Sequence, residues 1–127
     1  MKTILIWFYY KKSWKDKGVE NIASFDTREK IEEIARIFAR LVQKEIDVKN
    51  VYLFGSYVKG NYSEDSDIDI AVIGDDFTGD PIEDTMMLMR IRRKIDNRIE
   101  PRPFRTSDFN KSNPISKEIM ETGVIIM

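Results

Sequence analysis

VYLFGSYVKGNYSEDSDIDIAVI, residues 51–73, is the stretch whose reading decides the fold. Its first four residues, Val51, Tyr52, Leu53 and Phe54, are β-branched or aromatic and are bounded by turn formers, which predicts a buried strand. Gly55 ends the run, and glycine tolerates the positive φ and close backbone approach that a tight strand-to-helix turn demands. Ser56 is placed to cap a short helix through Tyr57, Val58 and Lys59, stopped by Gly60. A strand that feeds a helix N-terminus in this way presents backbone N–H groups and the positive dipole end, where phosphate oxygens bind.

The second apolar run carries the chemistry. Residues two apart on a strand point the same way, so Asp67, Asp69, Ala71 and Ile73 share one face and Ile68, Ile70 and Val72 the other. Asp67 and Asp69 then project side by side, with Cα atoms ~6–7 Å apart. Two carboxylates at that spacing repel each other unless a cation lies between them. Hard oxygen ligands next to a phosphate site favour magnesium, held by one or two carboxylates plus substrate phosphates. Two plainer readings compete. Asp65, Asp67 and Asp69 resemble the start of a calcium loop, but Ile70 stands where that loop needs glycine. The two acids could also be solvent-facing strand residues in ordinary alternation, which would suffice if Gly55 and Ser56 did not precede them.

Gly55-Ser56, ten intervening residues, then Asp67-Ile68-Asp69 resembles the signature of the nucleotidyltransferase superfamily related to DNA polymerase beta. The short chain is similar to its minimal nucleotidyltransferases, which are often encoded next to a HEPN-domain protein as toxin–antitoxin pairs. The resemblance covers about residues 27–127 and implies an α/β (α+β) nucleotidyltransferase fold, a mixed β-sheet with helices packed on it, in a domain spanning 26–127. It implies transfer of a nucleoside monophosphate, AMP from ATP, to an acceptor hydroxyl, with two Mg2+ ions held by Asp67, Asp69 and a third carboxylate. Gly55 and Ser56 would hold the terminal phosphates, with Lys59 as a further phosphate contact. The third acid of such enzymes lies on a strand after the helix that follows Asp-x-Asp. Glu100 occupies that slot in Ile99-Glu100-Pro101-Arg102-Pro103-Phe104, and neighbouring strands ~4.8 Å apart let it reach a shared metal. Asp96 is its rival, but falls within a helical pattern. The partner implied is a HEPN-type toxin. A non-catalytic antitoxin acting by binding and a small-molecule, antibiotic-type nucleotidyltransferase are the alternatives.

Composition narrows the chemistry further. The 127 residues suffice for one domain, and the 34% charged and 42% hydrophobic content is an ordinary globular balance. A formal net charge of −1 gives no general basic field for nucleic acid, and there is no room for a template-binding domain. With no histidine and no cysteine, thiol catalysis, a Ser-His-Asp triad and the usual zinc sites are excluded, leaving carboxylates as general bases. Absence of cysteine is compatible with a reducing cytosol, and a cytoplasmic protein is expected. The small domain also suggests that a homo-oligomer or a protein substrate completes the cleft.

Outward from the centre, residues 26–46 predict a helix, with Asp26 and Glu29 as a capping box or Thr27 as the cap. Ile31, Ile34, Ala35, Phe38, Leu41, Val42 and Ile46 form its apolar stripe. Asp80, Pro81 and Glu83 start a second helix expected to run to about Ile99, with Ile82, Met86, Met89, Ile91 and Ile95 making apolar contacts. The basic residues Arg90, Arg92, Arg93, Lys94 and Arg98 spread around it and read as solvated surface. Pro101 and Pro103 place the following strand at a sheet edge. A short helix over 114–122, stopped by Gly123, and a closing strand over 124–127 complete the pattern. At the other end, MKTILIWFYY is too short to span a bilayer, which needs ~20 residues, and lacks a secretory cleavage site. Residues 1–25 therefore form an extension that reads as an added edge strand, an aromatic patch for a partner, or an incidental piece before a later natural start.

Overall fold

The computed structural model of the protein describes residues 27–63 and 65–127, so the N-terminal extension and Asp26 lie outside the described residues. Helix α1 (Arg28–Gln43) is capped by Thr27, whose hydroxyl accepts from the Lys30 amide at 3.4 Å, the second of the two expected caps. Ile31, Ile34, Ala35, Phe38, Leu41 and Val42 are buried along it. Arg28, Glu32 and Arg36 form i,i+4 ion pairs on the opposite side.

The chain then runs through strand β1 (Asn50–Phe54), the one-turn helix α2 (Ser56–Lys59) and strand β2 (Ile68–Ile73). Helix α3 (Pro81–Arg92) leads to strand β3 (Ile99–Phe104), and helix α4 (Pro114–Thr122) to the short strand β4 (Val124–Ile125). The sheet order is β3-β2-β1-β4. β1 is antiparallel to both neighbours, while β2 and β3 are parallel. This is the expected mixed sheet. Val51, Leu53, Ile68, Ile70, Val72 and Ile99 turn inward to meet α1 and α3 in the main core. On the other face, Ala71, Ile73 and Ile119 of α4 make a smaller cluster with Tyr52, Phe54, Phe104 and Phe109.

β3 lies at the edge, as its prolines require. The Ile68 amide donates to the Arg98 carbonyl and the Gly74 amide to the Phe104 carbonyl. With the register Ile70 to Pro101 and Val72 to Pro103, the even-numbered residues of β3 turn their backbone groups toward β2 and the odd-numbered ones away. Pro101 and Pro103 therefore sit at outward positions, where a missing N–H costs no ladder bond and blunts the edge.

Helix α3 ends earlier than its sequence suggests, at Arg92 rather than near Ile99. The Arg92 guanidinium donates from one nitrogen to the Asn97 and Ile99 carbonyls, each at 2.9 Å. Asp96 accepts from the Arg98 amide at 2.9 Å, which folds the connection into a turn. The buried stripe also differs from expectation. Leu88, Ile91 and Ile95 are buried, whereas Ile82 and Met86 are 72% and 59% exposed. Asp84 heads that stripe, buried because it accepts from the Thr78 amide and hydroxyl at 2.9 Å and the Gly79 amide at 3.0 Å. Residues 84, 88, 91 and 95 share one side of the helix, so 82 and 86 are turned about 180° away. Among the described residues no helix is long and apolar enough to cross a membrane.

Candidate active site

Gly55 sits where β1 hands over to α2, at φ 80° and ψ −150°. The Val58 and Lys59 amides donate to its carbonyl at 3.1 and 3.0 Å, which starts the helix. Gly60, at φ 85°, stops it. A Cβ on Gly55 would stand 2.1 Å from Asp69 Oδ2, so only glycine lets the turn and the β2 carboxylate occupy adjoining space. Behind the turn, Tyr57 is buried and stacks on Tyr62 with ring centroids 4.5 Å apart, which anchors α2 to the core.

The register aligns the remaining groups in rows across one face of the sheet. Phe54 is opposite Asp69, and Asp69 is opposite Glu100. One step along, Tyr52 is opposite Ala71, and Ala71 opposite Arg102. Asp67 lies one residue before β2 and is exposed. Asp69 is half-buried, and its pKa is raised above the ordinary aspartate value, first by burial and then by the Asp67 charge, with Glu100 adding to the rise. Arg102 and, more weakly, Lys59 pull the other way.

The structure thus brings Gly55, Asp67, Asp69 and Glu100 to one end of the sheet. Ser56 opens α2 beside them. Lys59, at the other end of that helix, is turned to Glu118 of α4 in an exposed ion pair of 3.2 Å. Asp96, the rival for the third acid, is paired with Arg98 at 2.7 Å and is part of the turn before β3. Among the described residues Glu100 carries no such pairing, and its charge acts on Asp69.

Magnesium suits the chemistry of this donor set, which is all carboxylate oxygen around a half-buried Asp69 that already carries an excess of neighbouring negative charge. Among the described residues, however, no three acidic side chains stand close enough together to hold a metal ion. A hollow of about 480 Å³ is found elsewhere, lined by residues 43–48 and Asp76 at the start of β1 and the end of β2. It is at the far end of the sheet from Asp69, and the acids Glu45, Asp47 and Asp76 make it a poor seat for a triphosphate.

Two further features of the site differ in how far local sequence signals them. The Lys59–Glu118 pair joins residues 59 positions apart and has no local signal. Arg102 does have one: it follows Glu100 by two on a strand and therefore shares its face.

Comparison with known proteins bears on the family and the fold. The family described as polymerase beta, nucleotidyltransferase, matches residues 22–127. Two Methanocaldococcus jannaschii proteins, provisionally named protein adenylyltransferases MJ0604 and MJ1379, are similar to the chain. The first is 57% identical over 28 residues, 22% of this chain and 28% of its own length. The second is 35% identical over 69 residues, 54% of this chain and 69% of its own length. Among solved structures, a provisionally assigned nucleotidyltransferase from Sulfolobus solfataricus shares the fold with a TM-score of 0.55 at 20% identity, over 77% of this chain and 80% of the other. A toxin–antitoxin crystallised with AMP-PNP gives 0.50 at 21% identity, over 74% and 72%. A mutant MntA–HpeT toxin–antitoxin gives 0.51 at 19%, over 73% and 72%.

Proposed function

This chain belongs to the polymerase beta nucleotidyltransferase family, and from that premise we propose that it transfers AMP from ATP to a hydroxyl of a partner protein, a HEPN-type toxin. The observation that carries the reading is the row in which Asp69 faces Glu100 across the sheet while touching the space of Gly55. The similarity to the Methanocaldococcus proteins named as protein adenylyltransferases supports a protein acceptor, and the fold shared with the two toxin–antitoxin structures supports such a partner.

In this reading Asp67, Asp69 and Glu100, which do not converge on a metal by themselves, would hold Mg2+ together with the phosphates of the nucleotide, and the metal would supply neutralisation of the phosphate charge. Gly55 and Ser56 hold the β- and γ-phosphates through backbone and hydroxyl donors. Lys59 is released from Glu118 to join them. Glu100 takes the proton of the acceptor hydroxyl as its oxygen bonds to the α-phosphorus. The bond from that phosphorus to the bridging oxygen breaks, and pyrophosphate leaves with the electron pair. Without the acids the developing charge loses its main stabiliser. The protein acts in the cytoplasm, without template nucleic acid.

Intact mass spectrometry tests the proposal. The protein is mixed with magnesium, ATP and the product of its adjacent gene, next to an Asp67→Ala, Asp69→Ala control. A partner that gains one or more adenylyl masses only with the wild type is the expected result. A partner inhibited without gaining mass would make this an occluding antitoxin, and an unmodified, unbound one would move the search to small-molecule acceptors.

A further inference from the structure

The cations around the site are nearly all committed. Arg98 pairs with Asp96, Lys59 with Glu118, and Arg105 donates to the carbonyls of Phe77 and Thr78. Arg92 is spent on the Asn97 and Ile99 carbonyls. Arg102 has no ion pair or hydrogen bond of this kind among the described residues. It is exposed, stands on β3 between Pro101 and Pro103, and shares a sheet face with Glu100 two residues before it. Its charge is felt at Asp69 more strongly than that of Lys59.

The order of the strands gives this residue a side. Gly55, where the proposed function seats the phosphates, follows β1, Asp69 is on β2, and Glu100 and Arg102 are on β3. In-line displacement requires the acceptor to approach opposite the departing pyrophosphate. With pyrophosphate on the β1 side, the acceptor arrives on the β3 side. Arg102 is two strands across and three residues along from Gly55, ~14 Å, and ~7 Å along β3 from the Glu100 that takes the proton. A guanidinium is always charged and matches a carboxylate with two parallel donors.

We propose that Arg102 is the acceptor-side contact that selects a protein hydroxyl lying in an acidic segment. The inference rests on the proposed protein adenylylation. An acceptor carrying carboxylates would otherwise be repelled by Asp67, Asp69 and Glu100, and Arg102 supplies the counter-charge where that segment enters.

The test uses two random copolymers as acceptors, poly(Glu,Tyr) and poly(Lys,Tyr), with labelled ATP and magnesium, and the wild type, Arg102→Glu and Arg102→Lys proteins. The wild type is expected to label poly(Glu,Tyr) with a kcat/KM about tenfold above poly(Lys,Tyr). Arg102→Glu should reverse that preference through the acceptor KM, with the Kd for ATP changed by less than about twofold. Arg102→Lys should keep the preference in weakened form, because the charge remains and the fork is lost. An unchanged acceptor ratio in Arg102→Glu, or a loss confined to ATP affinity, overturns the assignment. A wild type that adenylylates its partner protein but prefers the basic copolymer overturns it as well, while leaving the proposed function intact. A wild type that labels neither the partner protein nor a copolymer overturns both.

Discussion

At the scale of single residues, the site turns on the fit between Gly55 and Asp69. Adding one methyl at Gly55 would place carbon 2.1 Å from Asp69 Oδ2, at a φ of 80° that a side chain rarely adopts. Gly55→Ala is expected to displace the carboxylate and reduce transfer by at least about a hundredfold, the scale on which a 1 Å misplacement acts. Turnover and circular dichroism on the same sample check that the fold survives. Asp69 itself is held against its interest. Its folded pKa lies above the ordinary value, chiefly through burial and then through Asp67. The folded chain therefore binds this proton more tightly than the unfolded chain, and the ionised group destabilises the fold progressively as pH rises through that window. Asp69→Asn should consequently raise the melting temperature of the metal-free protein at pH 7 while abolishing transfer, and the gain should shrink toward pH 4. Melting curves across that range decide it; a gain that is flat with pH would show that ionisation is not the cause. Asp67, Asp69 and Gly55 were legible because their message is local, a glycine at a strand end and acids two apart. The contact of Gly55 with Asp69 was not, since residues fourteen positions apart meet only through the β1–β2 register.

At the scale of elements, the connection from α3 to β3 sets where Glu100 stands. Arg92 ties the end of α3 to two outward-facing carbonyls, those of Asn97 and Ile99, immediately before Glu100. Arg92→Ala leaves both without their charged donor and is expected to cost about 2–3 kcal/mol in urea unfolding. Its loss should also lower kcat, because the strand end that carries Glu100 loosens. Arg92→Lys should recover only part of the stability, as an ammonium on a flexible stem lacks the guanidinium's geometry. Sequence periodicity overran this helix because Ile95 continues the apolar spacing past the true end; its side chain is buried from within the turn. It also misjudged the buried side, since the stripe begins with the buried acid Asp84 while the exposed side carries Ile82 and Met86. Hydrophobic pattern cannot anticipate an acid that three loop donors make soluble in the core. The prolines of β3, by contrast, announced an edge strand correctly, because the constraint is covalent.

At the scale of the whole molecule, the sheet divides the labour between its faces. One face packs on α1 and α3 and supplies the stability; the other, only partly covered by α4, presents the acids. Phe38, fully buried in α1, is the test of the first face. Phe38→Ala is expected to remove about 3–5 kcal/mol, a large part of a typical domain's 5–15 kcal/mol, as measured by denaturant midpoint. A mild effect would mean that α1 is not the main support of the sheet. The sequence by itself determined the family, the mixed α/β architecture, the edge position of β3 and the shared face of Asp67 and Asp69 next to Gly55, because these follow from periodicity, glycine and proline stereochemistry, and short-range spacing. Only the tertiary structure decided that Asp96 is engaged by Arg98 while Glu100 faces Asp69, that Lys59 is held by Glu118, and that Arg102 has no ion pair among the described residues. Those facts depend on strand register and helix packing, which bring distant residues together by burying apolar surface and leave no trace in local sequence.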